Sequence, residues 1–422
     1  MTQKKIKFIV LALIMALCVS NNLFGFFPIN FFRPWDINLR PPEWCDAPLQ
    51  LTTFYEGGLR SSGYNTCDSH VNVLQIWSQT QDALAMLKGF PEDSKESLFF
   101  QNVLMNPQDD GVRGHIQFTG NLDLLANTVF ALRYHVPHNV TVGLFLPVLS
   151  MKLRNVVLND QTQDMPADFE VKTFLTNNFL QTIKQFDPDL NLQGWKKTGL
   201  GDAAIMGEWI QYFSQQKEYL KNVGLNVRAG LTIPTGVKTN INDIFFVPFG
   251  FDGAWGIFFG GGIILNWFNY IRAGIDFEFL TLFGDNRTRR IKTQADQTEF
   301  LFLAKTPAHT EYGFTQRYNL FAQAYQIYRG FSASVIYQFW KHGDDRLALY
   351  NDCYSQQIAN SAESLQEWTI HQFIFKAEYD CQCDMSDCSW FKPQLQFFYK
   401  VPFNGKRSVG VHTIGAGITL NF

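Results

Sequence analysis

Charge is scarce in this chain. Only 17% of its 422 residues are Asp, Glu, Lys or Arg, whereas soluble proteins usually carry about a quarter. The charges nearly cancel to a net −3, with an isoelectric point near 6.2, so no basic surface invites nucleic acid. Long apolar runs are equally rare. One is continuous, Phe8–Val19 (FIVLALIMALCV), and it falls short of the roughly 20 residues a spanning helix needs. A mean hydropathy of −0.11 excludes a bundle of membrane helices. Catalytic signatures are missing too: there is no Walker loop, no G-x-S-x-G and no metal-ligand helix motif. A serine two residues from a histidine on one strand face would mark a barrel-embedded hydrolase. His115, His135, His371 and His412 have none at that spacing. The glycine-rich GAWGIFFGGG, residues 253–262, precedes another strand pattern rather than the helix a phosphate cradle requires. No cofactor or metal is called for, and the chain does not read as an enzyme.

Aromatic residues are abundant instead: 41 Phe, 15 Tyr and 10 Trp. They recur with a period of two. In 270–283, Ile271, Ala273, Ile275, Phe277 and Phe279 share one face, while Arg272, Asp276 and Glu278 share the other. Similar alternation marks about twelve segments: 49–62, 114–136, 139–158, 200–214, 222–237, 253–266, 270–285, 314–328, 330–342, 367–380, 391–402 and 410–422. Charges keep one parity within most strands, as in Glu56 with Arg60 and Asp123 with Arg133. Lys152 and Arg154 switch parity relative to 140–146, which predicts a bulge at Pro147. A lipid-exposed charge at midplane costs about 2–4 kcal/mol, and that penalty explains why one face of each strand excludes charge.

The fold class predicted is all-β: a transmembrane antiparallel up-and-down β-barrel of about 12 strands with long external loops. Connections alternate in length. Short ones lie near His138 and at 214–222, 267–269, 329–330 and 381–388. Long ones cover 63–113, 159–199, 238–252, 286–313 and 343–366, and the last, 404–408, is brief. Bacterial outer-membrane barrels have short periplasmic turns and long external loops, which sets the orientation and predicts the bacterial outer membrane as the location. Lys4, Lys5 and Lys7 before the apolar run read as a secretory signal peptide over 1–25. The chain stops within the strand GAGITLNF because barrel closure consumes its edge. Phe422 is the expected assembly signal. The partners expected are outer-membrane lipids, the barrel assembly machinery and a small-molecule solute.

Two short motifs carry a family resemblance. GLGD (Gly199–Asp202) opens one strand and LTIPTG (Leu231–Gly236) closes the next. With the terminal Phe422, they resemble the outer-membrane β-barrel channels of the phenol-degradation meta-pathway and long-chain fatty-acid transporter-like group. The resemblance covers mainly 199–285 and the terminus, and it implies uptake of hydrophobic compounds. The function expected is therefore passive uptake of small solutes, hydrophobic ones included. The alternatives are a surface structural or adhesion protein and, after it, a barrel-embedded hydrolase.

Within a barrel, Glu208, Arg228, Arg272, Asp276, Glu278, Arg317, Lys376, Glu378 and Lys392 should face the lumen. Their mixed signs suggest internal ion pairs rather than a single-sign selectivity ring. Residues 26–48, rich in proline and aromatics, form a periplasmic segment or a plug, and 49–422 form the barrel. Segments 71–88 and 168–186 are expected to be helical. Six cysteines follow the leader: Cys45, Cys67, Cys353, Cys381, Cys383 and Cys388. The strand count places Cys67 and Cys353 outside and the other four on the periplasmic side. Cys67–Cys353 is then the expected external disulfide, with Cys45 joined to one of the turn cysteines. A metal held by the turn thiols, or free thiols throughout, are the alternatives. The topology makes a direct prediction: tags within 159–199 or 343–366 should be reached by antibody on intact cells, and a tag at 214–222 should not. Labelling in the opposite pattern would invert the orientation.

Overall fold

The computed structural model describes residues 29, 48–104, 114–161, 178–268, 270–328, 330–381 and 392–422. The leader, nearly all of 26–48, Cys45, Cys383, Cys388 and the Lys392 side chain lie outside the described residues. The strands are β1 Leu49–Tyr64, β2 His115–Val136, β3 Val140–Asp160, β4 Ala203–Ser214, β5 Leu220–Ile233 and β6 Gly256–Trp267. They continue as β7 Ile271–Leu282, β8 Thr315–Tyr328, β9 Phe331–His342, β10 Trp368–Asp380, β11 Lys392–Lys406 and β12 Ser408–Asn421. Each pairs antiparallel with the next, and β12 pairs with β1, closing a 12-strand barrel. Phe422 completes the seam. Its N–H donates to the Leu49 carbonyl at 2.9 Å, and the Leu49 N–H returns a bond at 3.3 Å. No open edge is left at the join, as a membrane-spanning sheet requires. Between β11 and β12 only Arg407 intervenes, so the 404–408 link is tighter than its sequence suggests.

Outward side chains in the middle of the strands are apolar on every part of the circumference. Phe130, Leu144, Ile205, Val227, Ile263, Ile275, Leu320, Val335, Phe375, Phe397 and Ile418 are all exposed. Aromatic rings gather toward the long-loop end of this belt. Phe279 stacks on Phe314 at 5.5 Å, Tyr318 on Phe339 at 6.3 Å, and Phe339 meets His371 at 4.6 Å. Such rings suit the interface between hydrocarbon and headgroups.

The strands outrun the membrane. β2 has 22 residues, which is roughly 55 Å along the axis once tilt is allowed for, against an apolar band of about 25 Å. Above the band, polarity inverts. On β3, Leu144 and Leu146 face out, whereas Leu149, Met151 and Leu153 are buried inside and Arg154 is exposed. β3 keeps its parity through Pro147, which pairs regularly with Val129. No bulge exists there. The environment changes rather than the face, because outside the membrane the outer surface meets water. The real irregularities lie on β3 between Arg154 and Val157, opposite Thr119 and Asn121, on β2 between Leu124 and Ala126, and on β1 between Gly58 and Arg60. They turn Asp123 and Arg60 outward while Arg133 and Glu56 stay inside, so those two sequence pairs do not share a face.

The long loops fold into a cap. It contains α1 Lys95–Leu104, α2 Phe179–Phe186, α3 Gln356–Ala359 and an antiparallel sheet of Asp285–Arg290, Lys305–Glu311 and Arg346–Leu349. Asp187 knots the cap together, bonding Arg290 at 2.5 Å and Lys305 at 2.9 Å. Burial opposes ionisation of Asp187, but Arg290 and Lys305 outweigh it and hold the carboxyl below its usual range. The expected helix over 71–88 is absent. The segment has two short bridging strands and a single 3-10 turn at Ala85–Leu87. Its apolar side chains Val73, Leu74, Ile76, Leu84, Met86 and Leu87 are all buried, with no exposed stripe, and Asn72 and Asp82 bind local N–H groups in turns. Of 168–186, the described part is α2, which is helical as expected. Its Phe179 packs on Phe118 of β2 at 6.4 Å. Cys67 and Cys353 are exposed free thiols, so the disulfide expected between them is not formed. Each is held on its own turn, by Asn65 and Asn351 respectively.

The belt predicts its own sensitivity. Ile275, 52% exposed on the apolar face, should lose about 2–4 kcal/mol of barrel stability on substitution by Arg, measured by urea unfolding in lipid vesicles. Stability equal to wild type would place that face in water.

Candidate functional site in the barrel lumen

At membrane level the inward faces carry polar groups that bond along the wall. Arg228 on β5 holds Asp276 of β7 with two bonds, 2.5 and 2.7 Å, and donates to Glu278 at 3.1 Å. Arg317 on β8 shares Glu278 at 3.0 Å. Asn319 joins Asp276 at 3.1 Å, Gln338 of β9 joins Asn319 at 2.8 Å, and Gln372 of β10 donates to Gln338. Asp276, Asn319, Gln338 and Gln372 are cross-strand neighbours at one height. The result is a hydrogen-bonded ring segment from β5 to β10.

Arg228 must cross β6 to reach β7, and glycine lets it. A Cβ at Gly260 would sit 3.1 Å from Arg228 Nη2, and one at Gly262 would sit 3.2 Å from an Asp276 oxygen. The glycine row legible in the sequence is thus the bed on which the guanidinium lies. Opposite, Glu56 of β1 receives Asn127 at 2.7 Å, Lys400 at 2.9 Å and Thr413 at 3.1 Å. Arg133 donates to Gln50 at 2.5 Å and lies 3.9 Å from Glu208. Lys376 pairs with Glu378 at 2.7 Å, and Arg272 covers the Tyr325 ring at 3.4 Å.

The structure therefore places Glu208, Arg228, Arg272, Asp276, Glu278, Arg317, Lys376 and Glu378 on the inward face, and it pairs opposite charges in small groups rather than gathering them in one ring. The candidate list lacked Glu56, Arg133 and Lys400, and it also lacked the amides Asn127, Asn319, Gln338 and Gln372. The amides carry no charge to flag them, but their parity matches the charged residues of the same strands.

Above the polar level the lumen is apolar. Phe118, Leu122, Leu124, Met151, Leu153, Phe258, Leu280, Trp340, Ile370 and Val411 face inward and belong to one buried cluster with the cap. Phe118 meets Phe245 at 5.6 Å and Phe300 at 6.2 Å. Ile29 is buried in the same cluster and bridges Val409, near the external end of β12. β1 begins at the opposite rim, where Leu49 bonds Phe422.

The two sequence motifs meet at the wall. β4 is interrupted at Gly201 and Asp202, and the preceding stretch Trp195–Leu200 pairs only with β3. Asp202 accepts the Gly236 N–H at 2.9 Å and the Phe251 N–H at 2.5 Å. Thr235 donates to the Gly201 carbonyl and accepts the Ala203 N–H. A Cβ at Gly250 would lie 2.3 Å from the Asp202 carboxyl, which fixes glycine there. At the rim, Thr315, His342 and Asp345 form a hydroxyl–imidazole–carboxylate chain at 2.7 and 2.9 Å, with the imidazole stacked on Trp368. All three are buried, and the chain ties β8 to β9 and the cap. Among the described residues no group of three potential metal ligands exists.

No protein-family model matches this chain, and no curated protein matches it. The fold matches solved structures. A crystal structure of an outer membrane channel from Pseudomonas putida superposes with TM-score 0.51 at 10% identity, covering 91% of this chain and all 100% of that one. The transport unit of an Escherichia coli autotransporter gives 0.36 at 8% identity, over 92% and 94% of the two chains. A Pseudomonas aeruginosa FadL homologue gives 0.26 at 8%, over 95% and 98%. The last two are too remote to argue from. The first shares the fold that the GLGD and LTIPTG resemblance implied. By its closed sheet and lipid-facing belt, the protein is a β-barrel of the bacterial outer membrane. It has the fold of an outer-membrane channel.

The ring segment predicts unequal tolerance of acid-to-amide changes. Asp276→Asn removes the charge opposite a buried Arg228 and should cost about 3 kcal/mol. Asp123→Asn, in an exposed pair with Arg154, should change little. Urea midpoints of the two variants check this, and equal midpoints would show that Asp276 is solvated.

Proposed function

We propose that the barrel is a passive channel for small hydrophobic solutes. The observation that carries this reading is the apolar lining of the external half of the lumen, built from Phe118, Met151, Phe258, Trp340 and their neighbours. A passage for sugars or ions needs polar walls at its entrance, and here the side chains packed there beneath the cap are aromatic and aliphatic. Beneath it, the charges are paired with opposite charges rather than gathered in a ring of one sign that would bind ions. The N-terminal segment fits the role of plug. Ile29 lies near the external end of β12 and Leu49 at the periplasmic rim. Closure by this segment would keep bulk water and hydrophilic solutes out.

Uptake of a fluorescent apolar probe by intact cells tests the reading, since the lipopolysaccharide leaflet slows such probes. Expression of the barrel should raise the rate severalfold, and deletion of 26–47 should in addition admit small sugars to proteoliposomes. No increase in probe uptake would overturn the channel. Cell adhesion or lipid cleavage by the purified protein in its place would point to the other readings.

A further inference from the structure

Most of the polar groups on the lumen wall bond one another. A small cavity near the periplasmic end of β10–β12 departs from this pattern. It holds about 30 Å³ and is lined by Ser332, Glu378, Asp380, Gln394, Gln396 and Thr419, with Tyr325 beside them. That is room for one water-sized group. Gln396 is only 5% exposed, yet its Nε2 has no hydrogen-bond partner, and neither has Gln394 Oε1. No neighbour bonds them. Glu378 accepts from Lys376 at 2.7 Å and from Gln323 at 2.9 Å instead. Thr419 is bonded to Thr52 at 3.0 Å. Gln394 spends its own Nε2 on Asp380 at 3.4 Å, which leaves its carbonyl oxygen as an acceptor. Gly417 lets the Gln396 amide lie where it does, for a Cβ there would fall 2.5 Å from Gln396 Nε2.

One missing donor and one missing acceptor, two residues apart on the same inward face, define a demand that a single hydroxyl meets. Its oxygen accepts from Gln396 Nε2 and its proton goes to Gln394 Oε1. We propose that this cavity is a subsite for the hydroxyl group of an otherwise apolar solute, an alcohol, at the exit of the pathway. The proposal rests on the channel reading above and narrows its substrate class. A leucine in place of Gln396 would relieve an unpaired buried amide, so this side chain costs the empty barrel stability that a ligand returns.

The test compares two fluorescent solutes of one skeleton, 1-naphthylmethanol and 1-methylnaphthalene, in uptake by cells with and without the barrel. The wild type should favour the alcohol about fivefold, the equivalent of one hydrogen bond. In Gln396→Leu and Gln394→Leu the ratio should fall to about one, with the urea midpoint of purified Gln396→Leu no lower than wild type. Gly417→Ala, which crowds the cavity without removing either amide, should lower the ratio too. A wild type that does not discriminate, or a preference that survives in all three variants, would show that the cavity holds water only and overturn the subsite. Failure of both solutes to enter through the wild type would instead overturn the channel reading itself.

Discussion

Hydrocarbon on the outside of the sheet is the constraint on which everything else depends. It forbids an unpaired backbone edge, so the first and last strands must meet, and they do so through Leu49 and Phe422. It also forbids outward charge across its thickness. Polar side chains in that band therefore face the lumen. There they occupy a confined space of low dielectric, and each needs a partner of its own. Arg228, Asp276, Glu278 and Arg317 answer that need within one connected set, and Glu56 with Lys400 answers it on the opposite wall.

The constraint ends where the membrane ends, but the strands continue. Past that height water lies outside and the cap lies over the mouth, so the same strand reverses which of its faces is apolar. β3 shows the change most clearly, from Leu144 outside to Met151 inside with no break in its own alternation. The apolar external lumen and the polar membrane-level lumen are thus two consequences of one boundary. A hydrophobic solute would meet them in that order, greasy surface first and hydrogen-bonding groups after.

Much of this was legible in the alternation of residues. All twelve strands, their order, the long and short connections and the inward position of eight charged residues follow from a period of two and the cost of charge in lipid. Three of the readings that failed share a cause. The bulge placed at Pro147, the shared face of Asp123 with Arg133, and that of Glu56 with Arg60 all assumed one polarity rule for the whole strand. The helix expected over 71–88 failed because its apolar residues are buried on all sides beneath the cap, where tertiary packing rather than helical spacing decides. The neutral amides of the ring escaped notice because only charge was followed. GLGD and LTIPTG were read as the start of one strand and the end of the next, and nothing local in either says that Asp202 binds the backbone of Gly236 and Phe251.

Spin labels placed singly along β3 test the reversal of polarity most directly. With oxygen as the lipid-soluble relaxant and a nickel chelate as the aqueous one, labels at Leu144 and Leu146 should respond to oxygen. Labels at Lys152 and Arg154 should respond to the chelate, and labels at Leu149 and Met151 should respond weakly to both. Strong chelate access at Leu149 and Met151 would mean that the external lumen is filled with water, and the account of a dry, apolar entrance would be wrong.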